Sequence, residues 1–199
     1  NNRSKVVGIS LKDRGAILPA GHLADYALWY NTGTGNFITS TYYSKKLPDW
    51  LIRFNESNIA DSLLNQTWEP LLAMEKYTKS GPDKALFEKV LNGKKSSEFP
   101  YNLKKLRKRN DNYALMTEVP YGNTLLTQMA KATILGENLG KHKDVDFLTI
   151  SYSSTDYVGH YYGIRSKELE DTYVRMDREI GELLSFLDLE VGKGMYTLF

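Results

Sequence analysis

Two stretches of this chain carry residue types and spacings that could do chemistry, Lys12-Asp13-Arg14 and Asp156-Tyr157-Val158-Gly159-His160. Each follows a run that reads as a buried strand. Lys12 and Arg14 supply two cations for an oxyanion, Arg as a planar fork for two phosphate oxygens and Lys as a mobile point charge. On an extended segment they alternate, so both side chains reach one face, with Asp13 on the other. Asp156 and His160 lie one helical turn apart, a carboxylate and imidazole pairing that suits a borderline-soft metal such as zinc. Cations for phosphate plus half of a metal site point to a metal-dependent phosphate-ester hydrolase. The bland readings are a solvated strand end for Lys-x-Arg and a surface hydrogen bond for Asp-x-x-x-His. Spacing alone does not choose between these, and position after a buried strand favours a site.

The elements that must position these groups follow from pattern. Lys5 to Leu11 is a short β-branched run expected as a buried parallel strand, with Lys12 and Arg14 at its carboxyl end, where open α/β sheets bind ligands. Val145 to Tyr152 is a second buried strand, and Asp156 and His160 follow it. The Ser-Ser-Thr run before Asp156 supplies hydroxyls or simply turns the chain. Tyr26 to Tyr30 and Phe37 to Tyr43 flank a Gly-rich turn and read as a β-hairpin. Pro48 to Asn55 and Asn58 to Leu64 read as short helices, and Tyr113 to Val119 as a strand. Gln66 to Asn112 is punctuated by Gly and Pro and reads as a loop-rich insertion. Asn123 or Thr124 caps a helix that stops near Gly140. Ser166 caps the strongest helix, with Leu169, Tyr173, Met176, Ile180, Leu183 and Leu187 on one face. Met195 to Phe199 reads as the start of a further strand, so the chain is expected to be a piece of a longer one. Asn1 to Ser4 read as a linker or an expression remnant.

Other groups carry weaker signals. His22 follows Pro-Ala-Gly and reads as structural, and His142 sits in a lysine-rich loop. Lys104, Lys105, Arg107, Lys108 and Arg109 read as a solvated helix face rather than a nucleic-acid patch. Gly33 and Gly35 form no phosphate loop, because no helix follows at the required spacing. Formal charge is +2, too small a field to recruit nucleic acid or acidic membrane. There are no cysteines, so any metal must use His and carboxylates. No apolar run approaches the roughly 20 residues of a membrane helix, and no signal peptide is evident.

Three segments together resemble the alkaline phosphatase superfamily, more narrowly the PafA-like bacterial branch related to nucleotide pyrophosphatase/phosphodiesterases. They are Gly8 to His22, then Tyr121-Gly122-Asn123-Thr124, then Ser153 to His160 with Glu170-Asp171-Thr172-Tyr173. The resemblance covers almost the full chain. It implies an α/β fold, a partial alkaline-phosphatase-like central sheet with flanking helices. Residues 1–18 and 113–199 would form the core, and 19–112 an inserted hairpin and loop-rich cap. It implies a two-zinc phosphomonoesterase with a Thr nucleophile, periplasmic or secreted. Asp156 and His160 would ligate one zinc, and Lys12 and Arg14 would hold phosphate oxygens. The family's nucleophilic Thr, a phosphate-binding Asn and an early Asp ligand belong upstream of Lys5, and an Asp-His pair and a final His beyond Phe199. The chain alone is therefore expected to be inactive. The alternatives are a phosphodiesterase or nucleotide pyrophosphatase of the same superfamily, and a non-catalytic binding module built on the aromatic hairpin.

Overall fold

A computed structural model describes residues 4–199, so the linker reading of Asn1 to Arg3 lies outside the described residues. The apolar run at the start forms strand β1, Val6–Ser10. It feeds within two residues into helix α1, Asp13–Ala20. The helix lies directly on the strand: a Cβ at Gly8 would sit 2.2 Å from the Ala16 carbonyl oxygen. Gly21, with φ 79°, ends α1, as expected from the Pro-Ala-Gly break.

Strands β2, Tyr26–Asn31, and β3, Asn36–Ile38, form the expected hairpin. The Asn31 side chain accepts the backbone N–H groups of Gly33 and Thr34, and Gly35 supplies φ 78° in the turn. Helix α2, Asp49–Glu56, starts after Pro48, and α3, Ile59–Leu64, follows Asn58. Strands β4, Thr67–Trp68, and β5, Tyr101–Asn102, pair antiparallel at the base of a loop-rich segment. Helix α4, Leu103–Leu106, is capped by the Asn102 side chain accepting from the Lys105 N–H. Then come α5, Tyr121–Glu137, β6, Phe147–Ser151, α6, Ser154–Tyr162, and α7, Lys167–Leu187.

The main sheet has four strands in the order β3-β2-β1-β6. β1 runs parallel to both β2 and β6, in a register that places Ser10 beside Ser151 and Trp29. α1 packs against β1, β2 and β6, while α5 contacts β1, α2 and α7. Val7, Ile9, Leu28, Leu125, Leu126 and Met129 are buried in one core cluster. This is the α/β architecture expected from the pattern.

Several expectations are corrected. The hairpin assigned to the inserted segment extends the central sheet, because β2 pairs directly with β1. Residues 112–118 form a 3₁₀ helix, not a strand. Asp111 and Asn112 take positive φ there, which starts a tight turn, and Leu115 and Met116 bury into the core. Residues 195–199 form no strand, and Gly192 and Gly194 turn the chain just before them. α5 starts at Tyr121 after Pro120, earlier than Asn123, which suits a proline before a first helical turn. β6 was expected to be buried, yet Phe147 is 55% exposed because this strand has a neighbour on one side only among the described residues. On α7, Leu169 and Leu183 are buried while Tyr173 and Ile180 are exposed, so the apolar stripe is only partly used. Arg107, expected on a solvated face, is buried and pairs with Asp61 at 2.7 Å.

Two buried carboxylates on α7 hold the loop-rich segment against it. Asp171 accepts hydrogen bonds from Trp68 Nε1 (2.6 Å), the Leu71 N–H (2.7 Å), Tyr77 (2.5 Å) and Arg175 Nε (2.7 Å). Four donors balance the cost of removing this charge from water. Glu168 Oε1 accepts from Tyr101 at 2.7 Å, and among the described residues its Oε2 has no hydrogen-bond partner. Burial is the main reason its carboxyl is raised to about 8, and the Tyr101 bond acts against that rise.

Candidate active site

Lys12 takes an extended conformation, φ −112° and ψ 140°, immediately before α1. Its backbone N–H donates to Ser10 Oγ at 3.0 Å, which ties the end of β1 to the start of the helix. Ser10 Oγ lies 3.0 Å from Ser153 Oγ, and Ser153 Oγ donates to the Ser151 carbonyl at 3.0 Å. A Cβ at Gly15 would sit 2.4 Å from Ser10 Oγ, so glycine is needed for α1 to start this close. The serines therefore bind the carboxyl ends of β1 and β6 together. Arg14 lies in the first turn of α1 rather than on an extended strand, so the alternation expected for Lys12 and Arg14 does not occur. The side chain of Arg14 is exposed, and its charge still bears on Asp156. The Asp13 side chain accepts the Arg14 N–H at 2.6 Å.

α6 begins three residues after β6 and places Asp156 in its first turn and His160 in its last. Its amino end is held from α5: Asn123 Oδ1 accepts the Ser154 N–H at 3.1 Å. A Cβ at Gly122 would lie 2.3 Å from Ser154 Oγ, so that glycine lets the two helices meet. Ser154, Val158 and Tyr162 bury one face of α6, and Asp156 and His160 are left on the open side.

Three ionisable groups converge there. Lys12 Nζ lies 2.5 Å from Asp156 Oδ2, and His160 Nε2 lies 3.3 Å from Asp156 Oδ1. The Lys12 side chain is 16% exposed, against 53% for Asp156 and 74% for His160. The Lys12 hydrogen bond, more than any other influence, holds the Asp156 carboxyl below the usual carboxylate range, and His160 and Arg14 add to it. Lys12 also sits 4.3 Å over the ring of Tyr157.

The other histidines stand apart. His22 lies beyond the far end of α1, and its carbonyl accepts the Tyr42 hydroxyl. His142 pairs with Asp146 at 3.4 Å, and Asp146 also accepts the backbone N–H groups of Lys5 and Gly140. That cluster closes the loop before β6. Among the described residues no group of three or more His, Cys, Asp or Glu is arranged to hold a metal ion. Sequence reasoning missed Ser10, Asn123 and Tyr157. Adjacency to Asp156 was the available signal for Tyr157, and the Tyr121 to Thr124 segment the signal for Asn123.

A family model described as "Type I phosphodiesterase / nucleotide pyrophosphatase" matches residues 7–199. Among curated proteins, alkaline phosphatase PafA of Elizabethkingia meningoseptica is 47% identical over 200 residues, and alkaline phosphatase PhoV of Synechococcus elongatus 46% over 199. A Myroides odoratus protein named calcium-transporting ATPase is 48% identical over 201 residues. In each case the match takes in 100% of this chain and 36% of the relative, so the chain spans about a third of their length. The crystal structure of wild-type PafA superposes with a TM-score of 0.93 at 47% identity, covering 98% of this chain and 37% of that one. A PafA variant in which a Thr, an Asn, a Lys and an Arg are replaced superposes equally well, at 0.93 and 46% identity.

Proposed function

Since the chain belongs to the type I phosphodiesterase/nucleotide pyrophosphatase family across residues 7–199, we propose that it is part of a zinc-dependent phosphate monoester hydrolase. The observation that carries the reading is the convergence of Lys12, Asp156 and His160 at the carboxyl ends of two adjacent parallel strands. The two alkaline phosphatase relatives support the same substrate class. In the PafA variant the replaced Lys and Arg stand two residues apart, as Lys12 and Arg14 do.

The donor set fits half of a metal site. Two ligands about 2.0–2.1 Å from a tetrahedral zinc lie roughly 3.3 Å apart. Asp156 Oδ1 and His160 Nε2 are 3.3 Å apart, and the depressed carboxyl keeps Asp156 ionised. These two residues would hold the ion. When bound, zinc supplies Lewis-acid stabilisation of charge on reacting oxygens and lowers the pKa of a nucleophile. Lys12 and Arg14 bind and orient the phosphoryl group and neutralise charge that builds on its equatorial oxygens. The serine cluster and Asn123 fix the strand and helix ends from which these side chains project.

The test is turnover of a chromogenic phosphate monoester, a diester and ATP by the full-length protein, with zinc content measured alongside. Monoester preference that falls in Lys12→Ala and Arg14→Ala supports the reading, because a dianionic monoester has more charge to neutralise. Equal losses on monoester and diester remove the basis for it. The description of the matching family favours the second reading, a phosphodiesterase or nucleotide pyrophosphatase, and the same ratio decides between them. The 199-residue chain alone is proposed to be inactive and to bind zinc weakly, since two ligands fall short of the usual three. A periplasmic or secreted location goes with the family resemblance and is checked by cell fractionation.

A further inference from the structure

Among the described residues the Lys12 ammonium has two holders, and both come from the first turn of α6. One is Asp156 Oδ2, at 2.5 Å, and the other is the ring of Tyr157, 4.3 Å away at its centroid. We propose that Tyr157 is the positioning residue for Lys12, its ring keeping the ammonium at the carboxyl end of β1, beside Asp156 and His160, when Asp156 is engaged elsewhere. This rests on the reading of Lys12 and Asp156 as phosphate and metal groups.

Asp156 cannot serve Lys12 and a metal equally. A divalent cation on Asp156 takes up the carboxylate charge and repels the ammonium. An aromatic quadrupole has no charge to surrender, and it attracts an ammonium by about 0.5 kcal/mol when exposed and about 2 kcal/mol when desolvated. The Lys12 side chain, 16% exposed, lies toward the desolvated end of that range.

Tyr157 is itself held. It stacks on Tyr161, one helical turn later, with ring centroids 6.5 Å apart and planes within 14°. Lys89, from the loop-rich segment, sits 3.9 Å over the Tyr161 ring. Lys89 Nζ is fixed by Glu118 at 2.7 Å, and its backbone N–H donates to the Tyr161 carbonyl at 2.8 Å. The result is a ladder along α6, with a lysine on each of two stacked tyrosines. Its outer end is pinned by the loop-rich segment and its inner end faces the phosphate cations.

The experiment uses the full-length zinc-loaded protein and the variants Tyr157→Leu, Tyr157→Phe, Lys12→Ala and Tyr157→Leu/Lys12→Ala. Tyr157→Leu is expected to lower monoester kcat/KM by about 3- to 30-fold, the range a lost cation–π contact spans. Diester turnover should change by less than about twofold, and Tyr157→Phe should restore most of the monoester rate. In the Lys12→Ala background Tyr157→Leu should have no further effect, since it acts through Lys12. Orthophosphate affinity, read by calorimetry, should weaken in Tyr157→Leu and recover in Tyr157→Phe, with zinc content unchanged. Additive losses, equal losses on both esters, or unchanged phosphate affinity overturn the inference. If Lys12→Ala itself spares monoester turnover, the phosphatase reading of Lys12 fails. Loss with Lys12→Ala and none with Tyr157→Leu overturns the role of Tyr157 alone.

Discussion

Glu168→Gln should remove a large part of the pH dependence of stability. Glu168 is fully buried, with one oxygen taking the Tyr101 hydroxyl and the other unpartnered. Burial raises its carboxyl from 4.5 to about 8, and the nearby Glu88 and Asp83 charges add to the rise. Between those two pH values the folded chain holds a proton that the unfolded chain releases. Stability therefore falls as pH rises from about 4.5 to about 8, and this contribution levels off above that. At about 1.4 kcal/mol for each tenfold change in proton affinity, the full loss is at most about 5 kcal/mol. Local relaxation and water entry make a few kcal/mol the expected size. Glutamine keeps the volume and the acceptor for Tyr101, and it carries no charge at any pH. Urea denaturation at pH 5, 7 and 9 should show wild type losing stability with pH and Glu168→Gln losing much less, with the variant the more stable at pH 9. Parallel curves for the two proteins would refute the reasoning and mean that Glu168 stays ionised throughout or is solvated.

Three further outcomes follow from the same contacts. Lys12→Ala should raise the Asp156 carboxyl toward its ordinary value, because it removes the largest of the influences holding it down; NMR titration of the metal-free protein reads this directly. Asp171→Ala leaves the donors of Trp68, Leu71, Tyr77 and Arg175 without an acceptor, and should cost about 3–5 kcal/mol in denaturant melts, with faster hydrogen exchange in residues 68–77. Gly8→Ala puts a methyl 2.2 Å from the Ala16 carbonyl oxygen; it should cost about 1–3 kcal/mol and lower Tm, as overpacking does.

The elements nearest the site were the most legible. β1 and β6 are short apolar runs containing β-branched residues, and Lys12 follows one and Ser153-Ser154-Thr155-Asp156 the other after a single intervening residue, a strong local pattern. α7 announced itself through Ser166, whose hydroxyl does accept the Leu169 N–H at 3.1 Å. The helical start at Asp13 was hidden because no Ser, Thr or Asn caps it, and the reading of Lys12 and Arg14 as alternating strand residues followed from that. Residues 113–119 look like a strand by composition, but positive φ at Asp111 and Asn112 winds them into a 3₁₀ turn, and local propensity does not reveal such dihedrals. The hairpin was visible as a hairpin, whereas its pairing with β1 is a long-range fact that periodicity cannot encode. Within the candidate site, residue types indicated Asp156 and His160, while the ring beneath Lys12 became evident only once Lys12 and the first turn of α6 were brought together.

The pairing of Ser10 with Ser151 also bears on the order in which the chain folds. Lys12 and Asp156 are 144 residues apart, yet they meet because β1 and β6 are adjacent strands. Closing a loop of that length costs roughly 4 kcal/mol of chain entropy before any contact offsets it. Everything between, including the hairpin, the loop-rich segment and α5, can reach partial order while β6 is still unpaired. The Lys12–Asp156 contact should then be among the last to form on refolding, and a probe of it should lag behind far-UV signals from the helices. An assembled charge cluster would thus report the zipping of two strands that the ribosome delivers far apart in time.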